Sequence, residues 1–328
     1  MVREVPQHHD QDPTLPHKPD ALRKLESKWN QNTLVCVGLD TEYGRLPSSY
    51  NNSKITEGMY SFNRDIIDAT SDLVCAYKPN LAFYESEAAD GLEALEDTVG
   101  HIRELDPEIA IIIDGKRADI GNTNRGYARF LFDRLDADAI TTSPYLGSSF
   151  IKDGERKLES LAPFLNEKDK LVFVLCRTSN PDAGEFQDLP IALKDLPAEY
   201  KAKFGDLTDL ADKIESNVAP LYLVMAHKLA RDWNQNGNVG LVVGATYPAE
   251  MAQIRKVVGD MPILMPGIGA QEAEARAAVR AGINSERTGI VVNASRSIIY
   301  ASSGDNYDEA ARAATQILKN QVNSYRAS

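Results

Sequence analysis

Short apolar runs alternate with stretches whose apolar residues recur at helical spacing. The apolar runs are Thr33 to Leu39, Asp72 to Tyr77, Ile109 to Asp114, Asp138 to Thr142, Leu171 to Cys176, Val239 to Val243, Pro262 to Met265 and Gly289 to Val292. They are too uniformly apolar to be half-exposed edges, and this predicts strands buried on both faces. Between them the helical period is clear. Leu22, Leu25 and Trp29 share a face in Ala21 to Asn30, as do Ile55, Met59, Phe62 and Ile66 in Lys54 to Ser71. Further helices are predicted over Glu85 to Leu105, Asn122 to Leu135, a stretch ending near Leu165, one running to about Trp233 with Val218, Leu221, Met225 and Leu229 on one side, Pro248 to Val258, Glu272 to Ala281 and Asp308 to Val322. Eight strands, each followed by a helix, predict a single-domain α/β fold, a (β/α)8 barrel over residues 21–328. A doubly wound open sheet is the rival, since it alternates in the same way.

Two stretches break the alternation. Lys152 to Glu159 is the charged part of the helical stretch that ends near Leu165 and is expected to bulge out of it. Asn180 to about Asp206 carries Pro181, Pro190 and Pro197, several glycines and mixed charge, and is expected to be a lid or surface insertion. Residues 1–20 are polar, with four prolines and with His8, His9 and His17, and are expected to form a flexible tail rather than a metal site or a secretory signal.

In a barrel of this kind, polar residues at the C-terminal ends of the strands converge on one mouth. Those ends carry Asp40, Lys78 with Asn80, Asp114 with Lys116, Ser143, Arg177 with Thr178 and Ser179, Thr246, Gln271, and Ser295 with Arg296. Taken singly, Ser143 and Thr246 read best as satisfied core polar groups. The set as a whole is hard to explain as packing. The third strand is the most informative. Strand alternation points Asp114 and Lys116 to the same face, so a carboxylate and an ammonium meet at the end of an apolar run, with Asp119 in the following loop. A structural ion pair and a catalytic pair explain that motif equally well when it is taken alone. Gly267 and Gly269 allow backbone N–H groups to approach an anion, and Arg296 opens a short helix after the last strand. Together they form a phosphate-site candidate in the loops where barrels often bind phosphate.

Composition narrows the partners. The chain has 328 residues, is 43% hydrophobic and carries a formal charge of -12. That balance argues against nucleic acid or an anionic membrane surface as a partner. No stretch is apolar for long enough to span a bilayer. Cys36, Cys75 and Cys176 each lie in an apolar run, which points to reduced thiols and a cytoplasmic location. No His–carboxylate cluster reads as a metal site, and Lys78 puts a cation where a divalent ion would need a ligand.

The strand-end residues resemble those of the orotidine 5'-phosphate decarboxylase family, most closely its longer bacterial-type subfamily. The resemblance rests on CVGLD (Cys36 to Asp40), FNRDIIDAT (Phe62 to Thr70), CAYKPN (Cys75 to Asn80), DGKRADIGNT (Asp114 to Thr123), RTSNP (Arg177 to Pro181), GLVVGATYP (Gly240 to Pro248), PGIGAQ (Pro266 to Gln271) and SRSI (Ser295 to Ile298). It implies a cofactor- and metal-independent carboxy-lyase that turns orotidine 5'-phosphate into uridine 5'-phosphate in pyrimidine biosynthesis. It also implies a homodimer with sites shared across the interface. In that scheme Lys116 protonates C6 of the pyrimidine, and Asp114 orients it beside the departing carboxylate. Asp119 and Ile120 reach the neighbouring subunit's site, with Thr123 near the ribose hydroxyls. Asp40 and Lys78 hold the ribose with support from Asn80, Thr178 or Ser179 meets the pyrimidine edge, and Gln271 and Arg296 grip the phosphate. Two features depart from the family pattern. Glu272 and Ala273 stand where two glycines often follow the Gln, and the 180–206 excursion is longer than the family needs. The alternatives are a magnesium-dependent phosphosugar aldolase or decarboxylase of the same barrel superfamily and a catalytically silent nucleotide-binding barrel.

Overall fold

The computed structural model describes residues 17–50, 53–152, 155–268 and 272–327. Eight parallel strands close into a barrel: β1 (Val35–Leu39), β2 (Ala76–Pro79), β3 (Ala110–Arg117), β4 (Ala139–Thr142), β5 (Leu171–Arg177), β6 (Val239–Val243), β7 (Ile263–Pro266) and β8 (Ile290–Ala294). Each strand pairs with its sequence neighbours, and β1 pairs with β8, so the sheet has no edge and the open-sheet rival is ruled out. Every residue of β1, β2, β4, β6 and β8 is buried. This is why these strands read as continuous apolar runs rather than alternating ones.

The outer helices follow the predicted stripes. Ile55–Thr70 buries Met59, Phe62, Ile66 and Ile67, and Ala88–Leu105 buries Leu95, Val99 and Ile102. The first helix begins at Asp20, and His17 lies against Asp169 at 3.2 Å. His8 and His9 are outside the described residues.

The two irregular stretches differ from expectation in an instructive way. Ser149–Lys152 pairs antiparallel with Glu155–Leu158, so the charged stretch is a β-hairpin and not the bulge of a helix. The Asp153-Gly154 pair in the sequence is a hairpin signal that the charge pattern hid. The excursion after β5 runs further than residue 206. Pro190–Ala192 pairs with Val218–Pro220, and the barrel helix starts only at Leu221. Val218 is therefore a half-exposed strand residue and does not share a helical face with Leu221. Pro220 explains the boundary, because a proline disfavours helical backbone at the residue before it.

The N-terminal end of the barrel is closed by charges with full sets of partners. Asp138, 4% exposed, accepts from Lys24 at 2.8 Å, from Arg103 at 2.6 Å and from the Ile111 N–H at 2.8 Å. Burial works against its carboxylate, but Arg103 and Lys24 outweigh burial and hold the carboxyl below its ordinary range. Arg255 donates to the carbonyls of Gly282, Gly259, Met261 and Gly289, which ties the loops entering β7 and β8 together. Burial pushes its guanidinium down to about 10, so it remains a cation at neutral pH.

Candidate active site

The opposite, C-terminal end is organised by β3. Ile111, Ile112 and Ile113 are fully buried, and the strand then leaves ideal register. Its pairing with β4 slips between Ile113 and Arg117, and Lys116 takes a left-handed backbone with φ +46°. Such a conformation costs a non-glycine residue about 1–2 kcal/mol. Simple alternation therefore does not bring Asp114 and Lys116 together; a bulge does. The Lys116 ammonium donates to Asp114 Oδ1 at 2.7 Å. Lys78, from the end of β2, donates to Asp114 Oδ2 at 2.9 Å and lies 3.9 Å from Asp40 Oδ1. The result is a line of alternating charge, Asp40, Lys78, Asp114, Lys116, buried at one end and open at the other. Side-chain exposure rises from 4% at Lys78 and 12% at Asp114 to 50% at Lys116.

Charge neighbours decide the protonation of this line. Burial would raise the Asp114 carboxyl, but the ammoniums of Lys78 and Lys116 hold it well below the carboxylate range. Burial would lower Lys78, yet Asp114 and Asp40 outweigh burial and raise it. Asp114 is thus a fixed anion and Lys78 a fixed cation. Lys116 is the member of the line whose ammonium faces the open mouth, where it can meet a bound molecule.

Thr141 in β4 was not among the sequence candidates. Its hydroxyl donates to Asp114 Oδ1 at 2.7 Å and accepts the Lys116 backbone N–H at 3.0 Å. The available signal is weak: two buried hydroxyls, Thr141 and Thr142, close the short strand β4, and nothing in the sequence tells them apart. Asn80 behaves differently from expectation. Its side chain accepts from the Ala82 N–H at 3.3 Å and caps the helix Leu81–Glu85. The Asp40–Lys78 pair draws no hydrogen bond from it among the described residues, because a helix starts directly at Leu81 and leaves orphan N–H groups to satisfy.

Asp119 does not join the line in its own chain. Its carboxylate accepts from the Ile120 N–H at 2.6 Å, and its carbonyl is held by Asn124 and Ser160, each at 2.8 Å. This anchoring leaves Ile120 55% exposed at the rim, with Thr123 half-buried in the helix Gly121–Ala128.

Across the mouth, the loop after β5 separates its two candidates. The Thr178 hydroxyl is engaged with Asn180 at 2.6 Å and with the Gln187 amide at 2.9 Å. Ser179 is exposed and stands against the ends of β6 and β7. A side chain on Gly244 would come within 2.8 Å of the Ser179 Cβ, so the glycine is what lets this loop approach. Gln187, also absent from the sequence candidates, lies in the excursion. Its carbonyl oxygen accepts from the Thr178 N–H at 2.9 Å and from Arg177 at 3.2 Å. Arg177 is buried and stacks on Tyr247 at 4.3 Å. Gly267 has φ +91°, a conformation that favours glycine, while Gly269 and Gln271 lie outside the described residues. Arg296 is exposed at the start of the short helix Arg296–Ile299, next to the end of β8. Thr246 is exposed and Ser143 half-buried, so neither is a core polar group.

Together, the closed parallel barrel and a lysine–carboxylate line at its C-terminal mouth define a (β/α)8-barrel enzyme. The chain belongs to the Orotidine 5'-phosphate decarboxylase / HUMPS family, whose model matches residues 33–314. It is 41% identical over 304 residues to the orotidine 5'-phosphate decarboxylase of Ralstonia nicotianae, covering 92% of this chain and 98% of that one. It is 44% identical over 306 residues to the enzyme of the same name from Thermomicrobium roseum, covering 92% and 95%. Among solved structures, Leishmania donovani OMP decarboxylase superposes with a TM-score of 0.73 at 31% identity, covering 94% of this chain and 99% of that one.

Proposed function

We propose that Lys116 is the proton donor of the reaction and that Asp114, with Lys78 behind it, holds the donor in place. The chain decarboxylates orotidine 5'-phosphate to uridine 5'-phosphate in pyrimidine biosynthesis. Loss of carbon dioxide leaves an electron pair at C6 of the pyrimidine, a carbon with no adjacent carbonyl to receive it. Fixed electrostatics must stabilise that charge. The observation that carries the assignment is the Lys116 ammonium, held 2.7 Å from the Asp114 carboxylate and half-exposed at the mouth. An ammonium set beside C6 favours the developing anion and then transfers a proton to it. Every carboxylate of the line already faces an ammonium, which supports a reaction run without a metal or cofactor.

The remaining roles follow from position. Asp40 and Lys78 serve the ribose, and Ser179, rather than the engaged Thr178, meets the pyrimidine edge. Arg296 binds the phosphate together with Gln271. Two observations support a homodimer with shared sites. The Asp119 carboxylate accepts from the Ile120 N–H and forms no ion pair with its own Lys116 among the described residues, and Ile120, Tyr145 and Leu146 expose apolar side chains on the loops after β3 and β4. Asp119, Ile120 and Thr123 then complete the partner's site. The three cysteines are free and buried, which supports a reducing, cytoplasmic location for a catalytic barrel spanning residues 21–328.

The test follows the decay of orotidylate absorbance. Wild type turns over and keeps its rate in a chelator, and Lys116→Ala loses roughly 10⁴-fold, since a general acid contributes up to about that much. Equal rates in the two proteins would remove Lys116 from its role. Mixing Lys116→Ala with Asp119→Ala restores part of the activity through hybrid dimers. Hybrids that form and stay inactive would place Asp119 in its own subunit's site.

A further inference from the structure

We infer that Thr141 is a positioning residue of the reaction, its hydroxyl locking the Asp114 carboxylate and the Lys116 backbone into one reactive arrangement. This rests on the reading of Lys116 as the proton donor. The bulge in β3 is the starting point. A bulge takes the extra residue's N–H out of the strand ladder, and that N–H needs another acceptor. For Lys116 the acceptor is Thr141 Oγ1 at 3.0 Å. The same hydroxyl has one hydrogen to donate, and it goes to Asp114 Oδ1 at 2.7 Å. Asp114 Oδ1 is also the oxygen that receives the Lys116 ammonium. One oxygen atom of Thr141 thereby fixes both ends of the lysine, its backbone directly and its ammonium through Asp114.

Thr141 is suited to hold a position rather than to react. It is 1% exposed, and its neighbours across β5 lie in an unbroken register, with Thr141 opposite Phe173. It therefore moves little, whereas Lys116 is half-exposed on a long flexible stem. Without the hydroxyl, the Lys116 N–H loses its acceptor and Asp114 Oδ1 loses one of its two donors, so the turn at Lys116 is held only by the flanking pairing of Arg117 with Thr142. The expected loss falls on the chemical step. Misplacing a reacting group by about 1 Å costs on the order of 100-fold, even when the binding contacts survive.

Thr141→Val keeps the shape and removes the hydroxyl; Thr141→Ser keeps the hydroxyl. The valine variant is expected to lower kcat roughly 30- to 100-fold with KM for orotidine 5'-phosphate within about threefold of wild type, and the serine variant to stay within about threefold in both. Hydrogen exchange at the Lys116 amide, read without substrate, is expected to speed up in the valine variant and not in the serine variant. Should the valine variant fail to fold, Thr141→Ala read in the same two ways decides. A kcat within twofold of wild type, a loss in KM equal to that in kcat, or no rescue by serine overturns the inference. Unchanged exchange at Lys116 overturns the bridge itself. A failure of Lys116 as donor would show separately, as full activity in Lys116→Ala.

Discussion

The two ends of the barrel carry charge in different ways. At the N-terminal end, Asp138 has three donors from Lys24, Arg103 and the Ile111 N–H, and Arg255 meets four carbonyls. At the C-terminal end, Lys116 has one carboxylate and is half-exposed, and Arg296 stands exposed on a four-residue helix. Asp40 Oδ1 and Asn293 Oδ1 are buried there with no hydrogen-bond partner among the described residues. The same residue types thus act as staples at one end and as reactive groups at the other. A free face on one partner separates the two uses. Asp114 has as many donors as Asp138, but one of them is Lys116, and a charge with a free face such as Lys116 holds part of its interaction energy for a ligand.

Removing one charge from each end breaks the comparison most directly. Lys116→Ala is expected to lose activity by about four orders of magnitude with little change in stability, because a half-exposed ammonium contributes about 0–1 kcal/mol. Asp138→Ala should do the reverse. It removes the shared acceptor of Lys24, Arg103 and the Ile111 N–H, leaves that buried N–H unpaired and leaves Arg103 only the more exposed Asp136 carboxylate, a loss on the order of 2–4 kcal/mol, while the folded fraction keeps wild-type kcat. Urea midpoints and initial rates on both variants check this. A stable, inactive Asp138→Ala would show that the lower end also serves the chemistry.

The next effect in size is on pH dependence. Asp114 and Asp138 both have lowered carboxyls, so each adds stability that is fully present above the unfolded value of about 4. That stability is lost as pH falls from there through the depressed folded values. Lys78 is raised, so its contribution is complete below about 10.4 and is lost as pH rises through its folded value. Denaturation midpoints should therefore fall below about pH 4, with a shallower acid slope in Asp138→Asn than in wild type. Identical slopes in the two would mean that Asp138 is not part of the acid limb.

How much of this was legible beforehand follows the same division. The eight strands could be read because each is buried on both faces and so announces itself as an apolar run, and their ends named the Asp40, Lys78, Asp114 and Lys116 line. Contacts formed through a backbone irregularity could not be read. Thr141 reaches Lys116 only because β3 bulges and Lys116 turns left-handed, and no residue pattern marks that turn. The Asn80 cap is hidden for a related reason: at a strand end, a helix cap and a ligand contact call for the same amide. The 149–158 hairpin was masked by its charged arms, and the end of the excursion by Val218, which happens to keep helical spacing with Leu221.

The smallest expected effect concerns the excursion, which at first sight belongs to neither end. Its helix Gly184–Gln187 carries Gln187, whose amide receives the Thr178 N–H and one arm of Arg177 and donates to the Thr178 hydroxyl. These contacts fix the backbone that presents Ser179 beside Gly244. The excursion therefore works with the reactive end, acting on ligand fit rather than on the proton transfer. Gln187→Leu removes the contacts at similar size and leaves the Thr178 N–H without its acceptor, a loss worth roughly 1–2 kcal/mol. Because Ser179 is placed at the pyrimidine edge and not at C6, that loss should appear in KM, raised about tenfold, with kcat nearly unchanged. A fall in kcat at constant KM would mean that the loop steers the chemical step. No change in either would make the excursion a surface addition whose polar contacts merely fold it down.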